Sequence, residues 1–223
     1  MQSGVFLILL SMSLTPFGDA LSKHLGESQS PFFIVFLRYF VAGLIALVFA
    51  GVTSTPVEIP KAGRVGLILR TALVMGAMTL LIVALAMIPL ANAVGGFLIA
   101  PIVATIISVV LYGENLTLAR ITGAGLSVVG AILILKPGAG IDAGTLFALL
   151  GGALLGSFLA LSRNAPTGQN PISVLAVQCL LGSTMILPLA LFHFDQFSMA
   201  LILPALGLPL WLGFCGSVKC RTG

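Results

Sequence analysis

Long apolar runs separated by short polar breaks dominate the sequence. The runs lie near residues 4–22, 32–51, 66–88, 92–112, 119–136, 144–162 and 172–192, and a further run covers 199–216. A helix needs about 20 mostly apolar residues to cross a bilayer, and these runs have approximately that length. The breaks contain turn-forming residues such as Pro89, Gly113 and Pro137. The pattern predicts seven full transmembrane helices and a partial eighth.

The composition excludes a soluble globular protein. Hydrophobic residues make up 59% of the 223 residues and charged residues only 7%, whereas soluble domains carry about 25% charged residues. The net charge of +4 does not indicate nucleic-acid binding, because the Lys and Arg residues are scattered singly between the apolar runs. We therefore expect an all-α integral membrane protein with the lipid bilayer as a partner and no nucleic-acid partner.

The basic residues predict an orientation in the membrane. With a cytoplasmic N-terminus, the inner side would carry Lys61, Arg64, Arg70, Arg120, Arg163, Lys219 and Arg221. The outer side would carry only Lys23, Arg38 and Lys136. Cytoplasmic loops are enriched in Lys and Arg, so the distribution favours a multi-pass protein of the cytoplasmic (plasma or inner) membrane with its N-terminus inside. Arg70 lies early in the third run, where snorkelling to the inner interface explains it; a functional role is the alternative.

The chain also resembles itself at a fixed offset. A shift of 140 positions places residues 4–50 on 144–190 without a gap, and the break at Ser30-Pro31 then meets Asn170-Pro171. Five predicted helices separate the two copies, so the second copy enters the membrane from the opposite side. Inverted repeats of this kind recur in secondary transporters, with the substrate site near the midplane between them. A chance match between apolar segments is the alternative.

Several motifs resemble the EamA domain of the drug/metabolite transporter superfamily. They are the stretch from Ala84 to Ala93, Pro101, the pair Gly113-Glu114, and the glycines Gly123 and Gly130. The resemblance implies two inverted five-helix repeats, ten helices in total, around a central cavity. The first EamA repeat is assigned to residues 1–137 and an incomplete second repeat to 138–223. The implied function is secondary, non-ATP transport of a small metabolite or drug-like molecule by alternating access.

The predicted second repeat departs from the family pattern. It reaches only its third helix, and the residues after Gly213 become polar where a helix is expected to continue. A truncated or frameshifted fragment without transport activity is therefore an alternative function. A homodimer, or a partner chain that completes the second repeat, is a further expectation.

Charged residues near the outer ends of the first two predicted helices are the first substrate-binding or gating candidates. Asp19 lies about one turn before the end of the first helix, and Lys23 follows four residues later on the same face. Arg38, about two turns into the second helix, can reach the same region. A structural ion pair between the two helices is the alternative. Gln178 is the counterpart of Arg38 in the second copy and completes this group of candidates.

The fourth and fifth predicted helices supply the remaining candidates. Asn92 begins the fourth helix and either contacts substrate or caps the helix, while Pro101 bends the helix by removing a backbone hydrogen bond. We interpret Glu114, Thr117 and Arg120 as structural. Thr117 is expected to cap the fifth helix, and a contact between Glu114 and Arg120 is expected to clamp the turn before it.

Motifs for catalysis are absent from the sequence. There is no Gly-x-Ser-x-Gly elbow and no phosphate-binding loop. His24 and His193 are far apart in sequence and have no plausible set of metal ligands around them. We expect no catalytic residue, no metal and no cofactor. A membrane-embedded enzyme such as a lipid transferase would require acidic or histidine residues clustered at one interface, which the sequence does not offer.

Overall fold

The computed structural model describes residues 19–20, 22–23, 30–53, 57, 63–135, 142–163 and 170–192. These residues form seven helices: α1 (Pro31–Val52), α2 (Arg64–Met87), α3 (Leu90–Phe97), α4 (Ala100–Tyr112), α5 (Leu118–Leu135), α6 (Ala143–Arg163) and α7 (Pro171–Phe192). Asp19, Ala20, Ser22 and Lys23 are also helical. In the described part of the chain, the expectation of an all-helical protein is confirmed.

In the described part of the chain, six segments are long and apolar enough to cross a membrane. Five are single helices, and the sixth, Leu90–Tyr112, consists of α3 followed by α4. Their ends agree with the predicted runs to within two residues. Most of the predicted first helix (4–22) and the whole of the predicted eighth (199–216) lie outside the described residues. The count of seven full helices and a partial eighth therefore stays a prediction.

Turn chemistry sets the helix ends. Pro31 occupies the first turn of α1, where its missing N–H costs nothing, and Ser30 before it is extended, with φ −61° and ψ 132°. Gly113 ends α4 with a φ of +60°, a left-handed conformation that glycine adopts without strain. Its N–H donates to the carbonyl of Val109, four residues back. The predicted breaks at Pro31 and Gly113 thus coincide with observed helix ends.

The chain forms two compact units. The first combines Met1–Arg64 with Thr167–Gly223 and contains α1 and α7. The second, Val65–Pro166, contains α2 from its second residue onward and α3 to α6. In the first unit α1 packs directly on α7. A methyl group at Gly43 would lie only 3.0 Å from Cδ2 of Leu180, so the two helices approach closely there. The two units are defined by contacts in space. The two repeats, 1–137 and 138–223, are defined by similarity in sequence, and their boundaries stay a prediction.

Small residues on α6 position the helices of the second unit. A methyl group at Gly144 would lie 2.6 Å from Cγ2 of Ile88, and one at Gly151 would lie 3.1 Å from the carbonyl oxygen of Ala77. Later residues of α6 thus contact earlier residues of α2, which shows that the two helices are antiparallel. Small side chains allow backbones in a membrane to approach this closely.

The same helix runs parallel to α3 and α4. Gly152 faces the carbonyl oxygen of Gly96, and Gly156 faces that of Ala100. The start of α2 and the ends of α4 and α6 therefore lie at one end of the second unit. Arg120 at the start of α5 lies at this end too, because it contacts Glu114, which directly follows α4.

Most of the surface of α5 is apolar and uncovered. Ala131 is the one buried residue of this 18-residue helix. Leu118, Leu126 and Leu133 are among its most exposed side chains. An exposed leucine face would be costly in water but is suited to contact with lipid chains. The helix is therefore compatible with the expected bilayer environment.

Candidate functional site

The structure brings Asp19 and Arg38 together. Nη1 of Arg38 donates to Oδ1 of Asp19 across 3.4 Å. The Arg38 side chain is 12% exposed and the Asp19 side chain 13% exposed. Arg38 lies two turns into α1, and Asp19 belongs to the helical residues before it. Two opposite charges thus meet between two helical segments of the first unit.

The ion pair between Asp19 and Arg38 is loose. Charge-assisted hydrogen bonds between guanidinium and carboxylate groups are usually about 2.7–2.9 Å long and often bidentate. Here one contact of 3.4 Å joins the two groups. One carboxylate oxygen and most of the guanidinium N–H groups remain outside this contact. The contact is therefore weaker than a short bidentate ion pair.

Lys23 and Gln178 occupy the same unit but do not take part in this contact. Lys23 is half-buried, and the ion pair of Asp19 with Arg38 joins residues of two helical segments. Gln178 is half-buried on α7. In the described part of the chain its side-chain amide has no hydrogen-bond partner. Its role as a substrate contact stays a prediction.

Asn92 and Pro101 lie in the second unit, on the interrupted span formed by α3 and α4. Asn92 does not cap α3, so that alternative was wrong: the helix begins at Leu90 and Pro89 occupies the N-cap position. Asn92 instead lies in the first turn, where its N–H donates to the carbonyl of Pro89 across 3.0 Å. Its part in substrate binding stays a prediction.

The interruption precedes Pro101. Leu98 and Ile99 separate the two helices and donate to the carbonyls of Gly95 and Gly96, three residues back, across 3.2 and 3.4 Å. This tighter winding ends α3, and α4 restarts at Ala100 with Pro101 in its first turn. Because Pro101 has no N–H, it cannot donate a hydrogen bond to the carbonyl of Phe97, four residues back. That missing bond is one that would otherwise join α3 to α4.

The glycines of α6 cover this break. A methyl group at Gly152 would lie 2.8 Å from the carbonyl oxygen of Gly96, and one at Gly156 would lie 2.5 Å from that of Ala100. Both distances are shorter than a real carbon–oxygen contact, so only glycine fits at either position. Transporters commonly place discontinuous helices at their substrate sites. The break in Leu90–Tyr112 is therefore a second candidate element.

Glu114 connects the turn before α5 with the end of α6. Its Oε2 atom lies 2.5 Å from Nη1 of Arg120 and 3.5 Å from Nη1 of Arg163. The carbonyl of Thr117 accepts hydrogen bonds from the N–H groups of Arg120 and Ile121, as expected of an N-cap residue. Among the described residues, the Thr117 hydroxyl makes no capping bond. The cluster ties three segments together, in keeping with a structural role.

One buried charged residue is not among the sequence-based site candidates. Arg70 is only 6% exposed as a whole residue, and its Nε donates to the carbonyl of Gly66, four residues back. The one sequence feature that could have singled out Arg70 is its position as a charged residue inside an apolar run. Among the described residues, no group of three or more His, Cys, Asp or Glu side chains is arranged to hold a metal ion.

Comparison with known proteins identifies the family. The sequence model of the EamA-like transporter family matches residues 2–136, more than half of the chain. The chain belongs to the EamA-like transporter family. A solved crystal structure superposes with a TM-score of 0.64, covering 93% of this chain and 78% of that protein at 18% sequence identity. A likeness at that identity shows the fold alone. No curated protein matches the sequence.

Family membership confirms the resemblance drawn from the motifs between Ala84 and Gly130. This EamA-like protein is a multi-pass membrane protein of a transporter family, consistent with the drug/metabolite transporter superfamily. A transporter family implies contact with the bilayer and a small-molecule substrate. Neither the family match nor the likeness in fold specifies which molecule is carried.

Proposed function

We propose that this protein is a secondary transporter that moves a small metabolite or drug-like molecule across the cytoplasmic membrane by alternating access. The loose ion pair between Asp19 and Arg38 carries the proposal. Ionisable side chains inside transmembrane segments are costly, and those that persist commonly mark substrate or ion pathways. A pair whose single contact is 3.4 Å long can open without losing a strong bidentate interaction.

The interrupted span in the second unit supports a transport role. Alternating access requires helices that change shape without exposing unpaired backbone groups to lipid. At Leu98 and Ile99 the backbone has already left regular α-helical bonding. Gly152 and Gly156 of α6 pack directly against this region, which shields its carbonyl groups from lipid. Pro101 directly follows the break, and Asn92 lies in the first turn of the short helix before it, so we include both in the proposed pathway.

The ends of α1 and α7 favour the repeat architecture. Both helices contain 22 residues, and Pro31 and Pro171 begin them at the offset of 140 found in the sequence. This agreement supports two five-helix repeats of opposite orientation, with Arg38 and Gln178 at equivalent positions. We place the N-terminus in the cytoplasm on the basis of the charge distribution. Gln178 is then the second repeat's contribution to substrate contact.

Comparative metabolite profiling tests the proposed activity without knowledge of the substrate. The wild-type chain and the Asp19→Asn variant would be expressed in bacterial cells at equal membrane levels. Small molecules inside the cells and in the medium would then be quantified by mass spectrometry. We expect at least one compound whose ratio of intracellular to extracellular concentration differs between cells that express the wild type and non-expressing cells. The difference should be smaller for cells that express the variant. Identical profiles for wild-type and non-expressing cells would contradict transport.

A further inference from the structure

In the first unit, α1 and α7 meet at the middle of both helices. A methyl group at Gly43 would lie 3.0 Å from Cδ2 of Leu180 and 3.4 Å from its backbone nitrogen, so the two backbones approach closely at this level. Each helix contains 22 residues, and Gly43 and Leu180 each lie within two residues of the midpoint of their helix. A helix of this length measures about 33 Å, close to the thickness of the hydrocarbon core. The contact between Gly43 and Leu180, the α1–α7 crossing, is therefore placed near the middle of the bilayer.

Small buried side chains lie on both helices around the crossing. Ala46 and Ala50 follow Gly43 along α1, and Ala176 and Ser183 lie on either side of Leu180 on α7. Small residues allow helices in a membrane to approach closely. The hydroxyl of Ser183 donates to the carbonyl of Leu180 in its own helix, across 2.8 Å. None of these side chains is long enough to lock the two helices at one angle.

The order of the spans fixes the relative direction of α1 and α7 in a membrane. Four candidate spans lie between them along the chain: α2, Leu90–Tyr112, α5 and α6. The longest connection between successive spans covers residues 53–63, which is too short for a further span. When every span crosses the bilayer, α7 is the fifth crossing after α1, and the two helices are antiparallel.

The proposed inverted repeat gives the crossing a special position. At the offset of 140, α1 and α7 are equivalent helices, with residue 43 matching 183 and residue 40 matching 180. The pseudo-two-fold axis of an inverted repeat lies in the plane of the membrane. A contact between the midpoints of two equivalent helices lies on or close to that axis. Because the two-fold operation interchanges the inward-facing and outward-facing arrangements, such a contact has the same separation in both.

We propose that the α1–α7 crossing is the pivot about which these two helices rock during transport. This inference rests on the proposed transport function and adds the point that stays fixed while the helix ends move. Each end of a 22-residue helix lies about 16 Å from its midpoint. A tilt of about 15°, comparable with known rigid-body rotations, would move the ends by about 4 Å and leave the crossing almost in place.

Disulfide crosslinking in proteoliposomes tests the pivot. After replacement of the three native cysteines, one protein would carry Gly43→Cys and Leu180→Cys at the crossing. The matched control would carry Ala50→Cys and Ser173→Cys, two buried positions that lie at one level, nearer the helix ends, when the helices are antiparallel. Copper phenanthroline would oxidise each pair, and a short bifunctional thiol reagent would link the control pair if oxidation does not. Transport would be measured as exchange of a ¹³C-labelled extract of cellular small molecules.

The position of the link should decide its effect on exchange. A disulfide at the crossing should lower the exchange rate less than about twofold, because the crossing keeps its separation throughout the cycle. A link between positions 50 and 173 should lower it more than about tenfold, because it fixes the part of the helices that has to move. Reduction should restore the rate in both proteins. Each protein thus serves as its own control, since its linked and reduced forms differ only in the crosslink.

A second pair near the crossing, Ala46→Cys with Ala176→Cys, replaces two fully buried small side chains and supplies the comparison if the first pair does not fold. Failure of the crossing pair to form a disulfide, or equal loss of exchange from both links, would overturn the pivot. Exchange by the reduced but not by the oxidised crossing pair would reject the pivot and retain the transporter. Absence of exchange by the wild type would instead reject the proposed transport function.

Discussion

Nη1 of Arg38 lies 3.4 Å from Oδ1 of Asp19, and both side chains are almost nine-tenths buried. Arg38 lies within α1, whereas Asp19 precedes that helix by more than ten residues, so the contact depends on packing between segments. A buried pair of this kind is usually weak evidence for stability, because desolvation offsets most of the attraction. Under the proposed transport function, this long contact breaks and re-forms during the cycle.

Removal of one partner of this pair should destabilise the protein only modestly. We expect Asp19→Asn or Arg38→Gln to cost about 1–3 kcal/mol, less than for a tight buried pair, because the single contact is long. The double variant should cost less than the sum of the two, by about 0.5 kcal/mol or more. Thermal unfolding in detergent of the four proteins measures this coupling. Strict additivity would show that the two side chains do not interact.

The approach of α6 to the helix break predicts opposite effects for two glycines. Gly156→Ala should lower stability by about 1–3 kcal/mol, because the new methyl group would lie 2.5 Å from the carbonyl oxygen of Ala100. Gly125→Ala on α5 is the matched control. No atom lies within 4 Å of its new methyl group, and alanine favours a helix by up to about 1 kcal/mol. Equal Tm values for the two variants would contradict the close packing.

The distribution of arginines predicts which end of the second unit faces the cytoplasm. Single cysteines would be introduced as Asn115→Cys, beside Glu114, and as Asp142→Cys, at the start of α6, after replacement of the three native cysteines. With the N-terminus inside, a membrane-impermeant maleimide should label Asp142→Cys in intact cells. It should label Asn115→Cys only after the membrane is opened. The reverse pattern would place the arginine-rich end outside.

The helices could be predicted because the signal for a membrane span is local. Length and apolar content define a span, and the ends of α1 and α6 lie within one residue of the predicted runs. Pro101 also indicated the interrupted span, since a missing N–H is a property of the residue itself. The position of the break could not be predicted. It depends on the hydrogen bonds that the N–H groups of Leu98 and Ile99 donate to the carbonyls of Gly95 and Gly96, three residues back. It also depends on the packing of Gly152 against the carbonyl of Gly96.

Contacts between side chains of different helical segments were harder to predict than the helices themselves. Sequence spacing suggested Lys23 as a partner for Asp19, because residues four apart share a helical face. The structure selects Arg38, and only the packing of separate segments could decide between the two cations. Arg70 illustrates the same limit. Its place early in a predicted helix does not reveal how far packing covers it, and in the structure the residue is 6% exposed.

Exchange in proteoliposomes tests the central claim of gated transport most directly. Vesicles that contain the protein would be loaded with an unlabelled extract of cellular small molecules and placed in a ¹³C-labelled copy of that extract. Mass spectrometry would identify labelled compounds inside. We expect a small set of compounds to enter vesicles with the wild type and with Glu114→Gln, which removes the carboxylate that contacts Arg120 and Arg163. Entry should be reduced with Asp19→Asn and Arg38→Gln. Equal labelled content in wild-type and protein-free vesicles would contradict transport, and normal exchange by Asp19→Asn would contradict gating by the Asp19–Arg38 pair.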